Sequence, residues 1–180
     1  MSSTSIFIFS EAGRCVGRPD DMAYLIDGNN LLGHLYAGFH RDPAHRSILV
    51  GKLRAFQRQT RTRVILVFDG IAPEDFPASG KDKFAILFPP PGESADSLIV
   101  DYIERHHDRR NLFVVSSDRE IRAIARQAGA ASLRCDEFHR ELKKALREGR
   151  KAREMDKAEE GATALEIELW TEAFARKKRP

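Results

Sequence analysis

Four aspartates, Asp27, Asp69, Asp96 and Asp118, each fall at the edge of an expected strand or in the first turn of an expected helix. The apolar runs AYLI, VILVF and LFVVSS end directly on Asp27, Asp69 and Asp118. In an open α/β sheet the ligand crevice lies beyond the carboxyl ends of the parallel strands, so residues that close such runs face it. Asp96 lies in GESADSLIVDYI, where Ser94 can cap a helix and put Asp96 in its first turn. Carboxylates gathered on one rim raise each other's pKa unless a cation sits among them. Hard oxygen ligands suit Mg2+ or Mn2+, which keep some water and complete their shell with carboxylates and substrate phosphate.

Each aspartate also has a purely structural explanation. YLIDGNNLLG can be a strand, a D-G turn and an Asn-capped helix, with Gly28 allowing a sharp turn into a helix from about Asn30. The same geometry sets a carboxylate beside a helix N-terminus, where free N–H groups favour a phosphate. Asp69 in LVFDG can be a turn residue, Asp96 can complement a helix dipole, and Asp118 can be an N-cap with Ser116 and Ser117 as strand-end hydrogen-bond formers. Four independent caps need not all be aspartates on one rim, so the conjunction favours a metal site.

The elements that must carry these residues alternate. Strands are expected at Ala23 to Ile26, Val64 to Phe68, Phe84 to Phe88, Leu112 to Ser116 and Ala131 to Arg134. Helices are expected from about Asn30, over Ala44 to Gln59, from Ser94 to about His106, over Arg119 to Gln127 with Gly129 as stop, and from Asp136. Loops hold Asp42 and Pro43, and Gly70 to Lys83. Such alternation implies right-handed crossovers and a mainly parallel sheet. REGRKAREMDKAEEG is a linker or a solvated helix face. Ala164 to Phe174 carries Leu165, Leu169, Trp170, Ala173 and Phe174 on a helical stripe that can dock on the body. The expected organisation is a disordered or extended leader over 1–22, a nuclease-type domain over 23–148, a charged linker over 149–163 and a C-terminal helix with a basic tail over 164–180. Met22, just before the first strand, stands as an alternative start.

At 180 residues the chain can bury one sizeable core. Lys and Arg number 30 against 27 Asp and Glu, so local distribution matters more than the net charge of +3. Cys15 and Cys135 form no C-x-x-C and have no His at ligand spacing, which argues against a zinc site or a disulfide framework and fits a reducing cytoplasm. The run IFIF is too short for a signal-peptide core or a membrane span. Neither G-x-G-x-x-G nor G-x-x-x-x-G-K occurs, which excludes nucleotide binding of those kinds. His34, His40 and His45 are too irregularly spaced for a ligand set, and His106 and His107 close a helix.

DGNN after the first strand, VFDG after the second, ESAD opening a helix and SSDR after the next strand resemble, in order and spacing, the NYN/YacP-like branch of the PIN-like ribonuclease superfamily. The similarity runs from Ala23 to Leu146, and the W-x-x-x-F pair Trp170 and Phe174 resembles the close of that family. The resemblance implies a PIN-like three-layer α/β/α sandwich and a metal-dependent endoribonuclease leaving a 5′-phosphate. Asp27, Asp96 and Asp118 would be the metal-binding acids and Asn30 and Asp69 supporting catalytic residues. Some NYN nucleases carry an acid one turn after the last aspartate; Arg122 stands there here, leaving one or two metals open.

From Arg41 to Arg63 seven basic residues face a single acid, Asp42, a local charge of +6. Arg54, Arg58 and Arg61 recur at i, i+4, i+7, and with Arg46 and Lys52 they can track a phosphate backbone. Tyr36 and Phe39 could stack on an unpaired base or pack in the core. A second basic group, Lys143, Lys144, Arg147, Arg150, Lys151 and Arg153, is interrupted by acids and is expected to be a solvated helix face; the terminal RKKR could bind RNA or fray. The sequence therefore points to RNA as partner, with the ribosome as a further one and no membrane. The alternative is an RNA- or ribosome-associated binding protein with little intrinsic cleavage. Oligomeric state is not encoded in any motif.

Overall fold

The fold is seen in a computed structural model that describes residues 18–36, 44–71 and 83–176, with side chains to Met155. The leader up to residue 17, the loop residues Phe39, His40, Arg41, Asp42 and Pro43, most of the Gly70 to Lys83 loop, the terminal residues 177–180 and the side chains of Leu165, Leu169, Trp170 and Phe174 lie outside the described set.

Five strands, β1 (Ala23–Asp27), β2 (Arg63–Val67), β3 (Phe84–Leu87), β4 (Leu112–Val115) and β5 (Ala131–Leu133), pair in the order β3-β2-β1-β4-β5. Every pairing is parallel. The helices are α1 (Gly28–Leu35), α2 (Ala44–Thr60), α3 (Ala95–Arg105), α4 (Arg119–Gln127) and α5 (Cys135–Arg176). Both sheet faces are covered, so the strands read as near-continuous apolar runs. Tyr24, Ile26, Val64, Leu66, Phe113 and Val115 point to one core with Leu31, Leu32, Leu49, Leu53, Phe56, Phe138 and Leu142 from α1, α2 and α5. The alternate residues Ala23, Leu25, Ile65, Val67, Leu112 and Val114 pack on Ile99, Ile103, Ile121 and Ala125 from α3 and α4. Three layers, α/β/α, follow from that period of two.

Tyr24 anchors the first core, stacking on Phe113 at 5.1 Å and meeting Phe56 and Phe138 at 5.4 and 5.6 Å. The strand order reverses between β1 and β4. Chains leave those two strands in opposite directions, and a crevice opens between them at their carboxyl ends.

Two local expectations are corrected. Gly28 makes no sharp turn: it is already helical, with Asp27 as the N-cap, and its φ is not positive. Its smallness is needed because a Cβ would come within 2.5 Å of the Phe68 ring and 2.7 Å of the Val67 carbonyl oxygen. Arg61 does not continue the face of Arg54 and Arg58, because α2 ends at Thr60 and Arg61 adopts φ 60° while its N–H donates to the Gln57 carbonyl. That left-handed position more often holds glycine. Residues 149–163 are helical within α5, the second of the two readings of the charged stretch. Among the described residues no helix is long and apolar enough to cross a membrane.

Gly28→Ala should lower the unfolding free energy by about 1–3 kcal/mol, because a rigid backbone carbonyl cannot yield to the new methyl. Urea denaturation checks this; an unchanged midpoint would show that the β1–α1 junction is not close-packed.

Candidate functional site

The crevice is built from three helix starts. Asp27 caps α1, Ser94 caps α3 and Asp118 caps α4. Asp27 and Asp118 sit at the ends of β1 and β4, the strands that flank the switch point, so their α1 and α4 N-termini face the same rim. The partial positive ends of such helices favour carboxylates and phosphates alike.

Asp27 is 3% exposed and accepts three hydrogen bonds. Its Oδ1 accepts from the Asn30 backbone N–H at 3.0 Å, and its Oδ2 accepts from the Asn30 amide and, at 3.1 Å, from the Ser116 hydroxyl. These bonds account for three of the roughly four lone-pair sites of a carboxylate. Ser116, itself wholly buried, also accepts from the Asp118 N–H at 3.1 Å. One hydroxyl thus ties the end of β1 to the loop after β4. Sequence reading saw Ser116 as a strand-end hydrogen-bond former; the SSD triplet was the signal, but the partner across the sheet was not visible.

Asp69 is a clamp between elements. Its Oδ2 accepts from the Asn29 amide at 2.9 Å and its Oδ1 from the Ala95 N–H at 2.8 Å, fixing the start of α3 and therefore Asp96. Asn29 is the other residue that sequence reasoning passed over as a contributor; DGNN offers two amides, and each serves a different aspartate. Asp118 uses Oδ1 to cap α4 through the Glu120 and Ile121 N–H groups at 2.6 and 3.3 Å, while its Oδ2 has no hydrogen-bond partner among the described residues. Asp96 is exposed, and neither of its oxygens has such a partner.

Asp96 reports on the field at the rim. Its carboxyl is raised above the ordinary 3.8 by partial burial first, then by the charges of Asp27, Asp118, Asp69 and Glu120. Asp96 therefore lies close enough to the other three aspartates to feel their charges. They do not touch: among the described residues no group of three acids, histidines or cysteines forms a ready metal cage. The donor set fits a hydrated hard cation instead, because Mg2+ takes one or two carboxylates and keeps several waters. From Asp96 and Asp118 a groove of about 390 Å³ continues between α3 and α4, with Val100, Ile121 and Ile124 along its wall.

The basic residues of α2 divide. Arg46 reaches the rim, its Nη2 donating to the Asp69 carbonyl at 3.3 Å and its guanidinium lying 5.0 Å over the Phe68 ring. Lys52 donates to the Tyr36 hydroxyl at 2.8 Å. Its ammonium is 5.2 Å from the ring centre, so it sits off the hydroxyl end and not above the ring. One face of Tyr36 is covered by His45 at 4.3 Å. Arg54 and Arg58 are exposed, with Arg54 5.3 Å over Phe84. Arg58 lies about 18 Å of helix below Arg46. Arg61 is at the amino end of the sheet, where Lys83 donates to its carbonyl at 3.2 Å, so it is not brought to the crevice. Arg122 donates through Nε to the Asp118 carbonyl at 3.2 Å.

The sequence model of the YacP-like NYN domain matches residues 24–178. Two solved structures of Rae1 (YacP) from Bacillus subtilis share the fold with TM-scores of 0.61 at 22% identity. One covers 87% of this chain and 92% of the other; a tryptophan-to-leucine mutant covers 76% and 84%. Among curated proteins no match is found.

Asp27→Asn is not the silent exchange that an ordinary turn would allow, because an amide at Oδ2 would meet the Asn30 amide donor to donor. It should cost about 1–3 kcal/mol. Pairing it with Asn30→Asp reverses donor and acceptor and should recover part of that loss in a double-mutant cycle; strict additivity would show that the pair does not interact.

Proposed function

The chain belongs to the YacP-like NYN domain family, a ribonuclease-type family with a PIN-like fold, and on that premise we propose that it is a divalent-metal-dependent endoribonuclease acting on single-stranded RNA. The observation that carries the reading is the meeting of Asp27, Asp96 and Asp118 at the starts of α1, α3 and α4, where the Asp96 carboxyl is raised by burial first and then by the neighbouring acids. Such mutual repulsion on an exposed rim is relieved by a cation. Asp96 and the open Oδ2 of Asp118 would hold Mg2+ or Mn2+ directly, and the remaining lone-pair site of Asp27 would take part through one of the ion's waters. The ion would lower the pKa of a bound water and neutralise charge on the phosphate oxygens.

The chain's own residues supply the rest. Asn30 and Ser116 hold the Asp27 carboxylate in one orientation through their three hydrogen bonds. Asp69 and Asn29 fix the start of α3 and so the place of Asp96. The N-termini of α1 and α4 attract the scissile phosphate to the rim. Arg46 and Lys52 would contact the RNA backbone near the cut, and Arg54 and Arg58 farther along α2; Arg61 would contribute only from the opposite end of the sheet. The proposed place of action is the cytoplasm, with ribosome-bound RNA among the substrates.

A second reading has its own observation. Asp27 already spends most of its acceptor capacity inside the protein, and the acids form no closed cage among the described residues. An RNA- or ribosome-associated binding protein with little intrinsic cleavage would look the same.

Incubation with labelled single-stranded RNA and Mn2+ separates the two. Wild type should cut, and a chelator should stop it. Asp96→Asn should reduce the rate by about 100-fold or more, since a metal-holding group costs at least as much as an outer partner. Its stability should move by less than about 1 kcal/mol, because relief of repulsion and loss of a favourable helix-dipole contact oppose one another. Cutting by Asp96→Asn at the wild-type rate under limiting Mn2+ would leave the binding reading in front.

A further inference from the structure

α5 carries a basic face that the rim does not use. The helix starts beside the site, where the buried Cys135 thiol lies against Ser117, and it runs down the flank of the sheet. Arg140, Lys143, Lys144, Arg147 and Lys151 recur at three- and four-residue steps and so share one side of the helix. Phe138 and Leu142, on the opposite side, are in the core. The five cations line a groove of about 570 Å³ together with Leu146 and Glu148.

In sequence this region is interleaved with acids, which argues for an ordinary solvated face. In three dimensions the acids leave it. Glu141 turns inward, where the Tyr24 hydroxyl donates to it at 3.5 Å and burial pushes its carboxyl up to about 7. Asp136 pairs with Arg134, Glu137 accepts from the Arg134 N–H, and Glu154 pairs with Arg150. Only Glu148 remains in the groove. None of the five cations forms an ion pair or hydrogen bond among the described residues. Like charges at such steps repel and weaken a helix, so the row gains nothing from folding alone. A linear polyanion would relieve it.

We infer that this face of α5 is a second nucleic-acid contact, binding the phosphate backbone of single-stranded RNA away from the bond at the rim. The row spans about 16 Å and ends about 24 Å along the helix from Cys135, beyond the reach of a dinucleotide held at the rim. The inference rests on the RNA reading of the preceding subsection for its ligand, but not on cleavage.

The test compares two variants of the full chain with equal charge change. One is Lys143→Gln with Lys144→Gln and Arg147→Gln; the other is Arg105→Gln with Arg109→Gln and Arg110→Gln, on the α3 side of the sheet. Binding of a long oligouridylate is measured with chelator present over a range of salt. Three lost phosphate contacts should reduce the slope of log affinity against log salt by about two in the α5 variant, with the other near wild type. Both variants should melt near the wild-type temperature, since all six side chains are exposed. Cleavage of a dinucleotide should be unchanged. A slope change without any cleavage by wild type would sink the endoribonuclease reading and leave this contact standing. An unchanged slope, an equal loss in both variants, or a loss confined to binding of phosphatidylserine vesicles would overturn it.

Discussion

The carboxylate of Asp27 is held in a nearly dry place by three hydrogen bonds, and the crevice is organised around it. A buried charge is tolerated only where hydrogen bonds replace its water. Asn30 supplies two of the three from the first turn of α1 and Ser116 supplies the third from β4. The bond from Ser116 crosses between the two strands at which the sheet order reverses, and the same hydroxyl receives the Asp118 N–H. The switch point is therefore not only an opening left by topology. It is pinned by one polar network that sets two of the four acids.

Capping leaves the rim aspartates with different amounts of free acceptor capacity. Asp118 spends one oxygen on the α4 backbone and keeps the other open, whereas Asp69 spends both, one on Asn29 and one on the first N–H of α3. Asp96 spends neither and takes the electrostatic consequences. Because its folded-state carboxyl is raised, the folded chain holds that proton more tightly than the unfolded chain does. Its ionisation therefore works against the fold as pH rises from the ordinary carboxylate range through the raised value. A cation held at the rim as proposed would remove the cause and so link metal affinity to local stability.

Much of this was legible in the chain. α4 runs over Arg119–Gln127 as its Asp118 cap and Gly129 stop indicate, and the alternation of apolar runs with helical stripes leads to a parallel three-layer sheet. The placing of Asp27, Asp69 and Asp118 followed from the strand ends, and that of Asp96 from the Ser94 cap. What stayed hidden depends on neighbours distant in sequence. Gly28 looked like a turn residue because D-G usually is one; its need to be small comes from Phe68 and the Val67 carbonyl. Arg61 looked like a continuation of the α2 face because spacing cannot show that the helix has ended. The α5 acids seemed to dilute its basic row until Tyr24, Arg134 and Arg150 were seen to draw them aside. The partner of Ser116 lies 89 residues away, beyond any local pattern.

The account stands on a divalent cation at the junction of β1, β4 and α3, and paramagnetic broadening by Mn2+ reads that location directly. In a backbone NMR titration the amides of Asn29 and Asn30, of Asp96 and Ser97, and of Asp118 to Ile121 should broaden first and together, and Asp96→Asn should shift the effect to much higher Mn2+. Broadening that begins instead around Asp101 and Glu104, farther along the α3–α4 groove, or that is indifferent to Asp96→Asn, would contradict it.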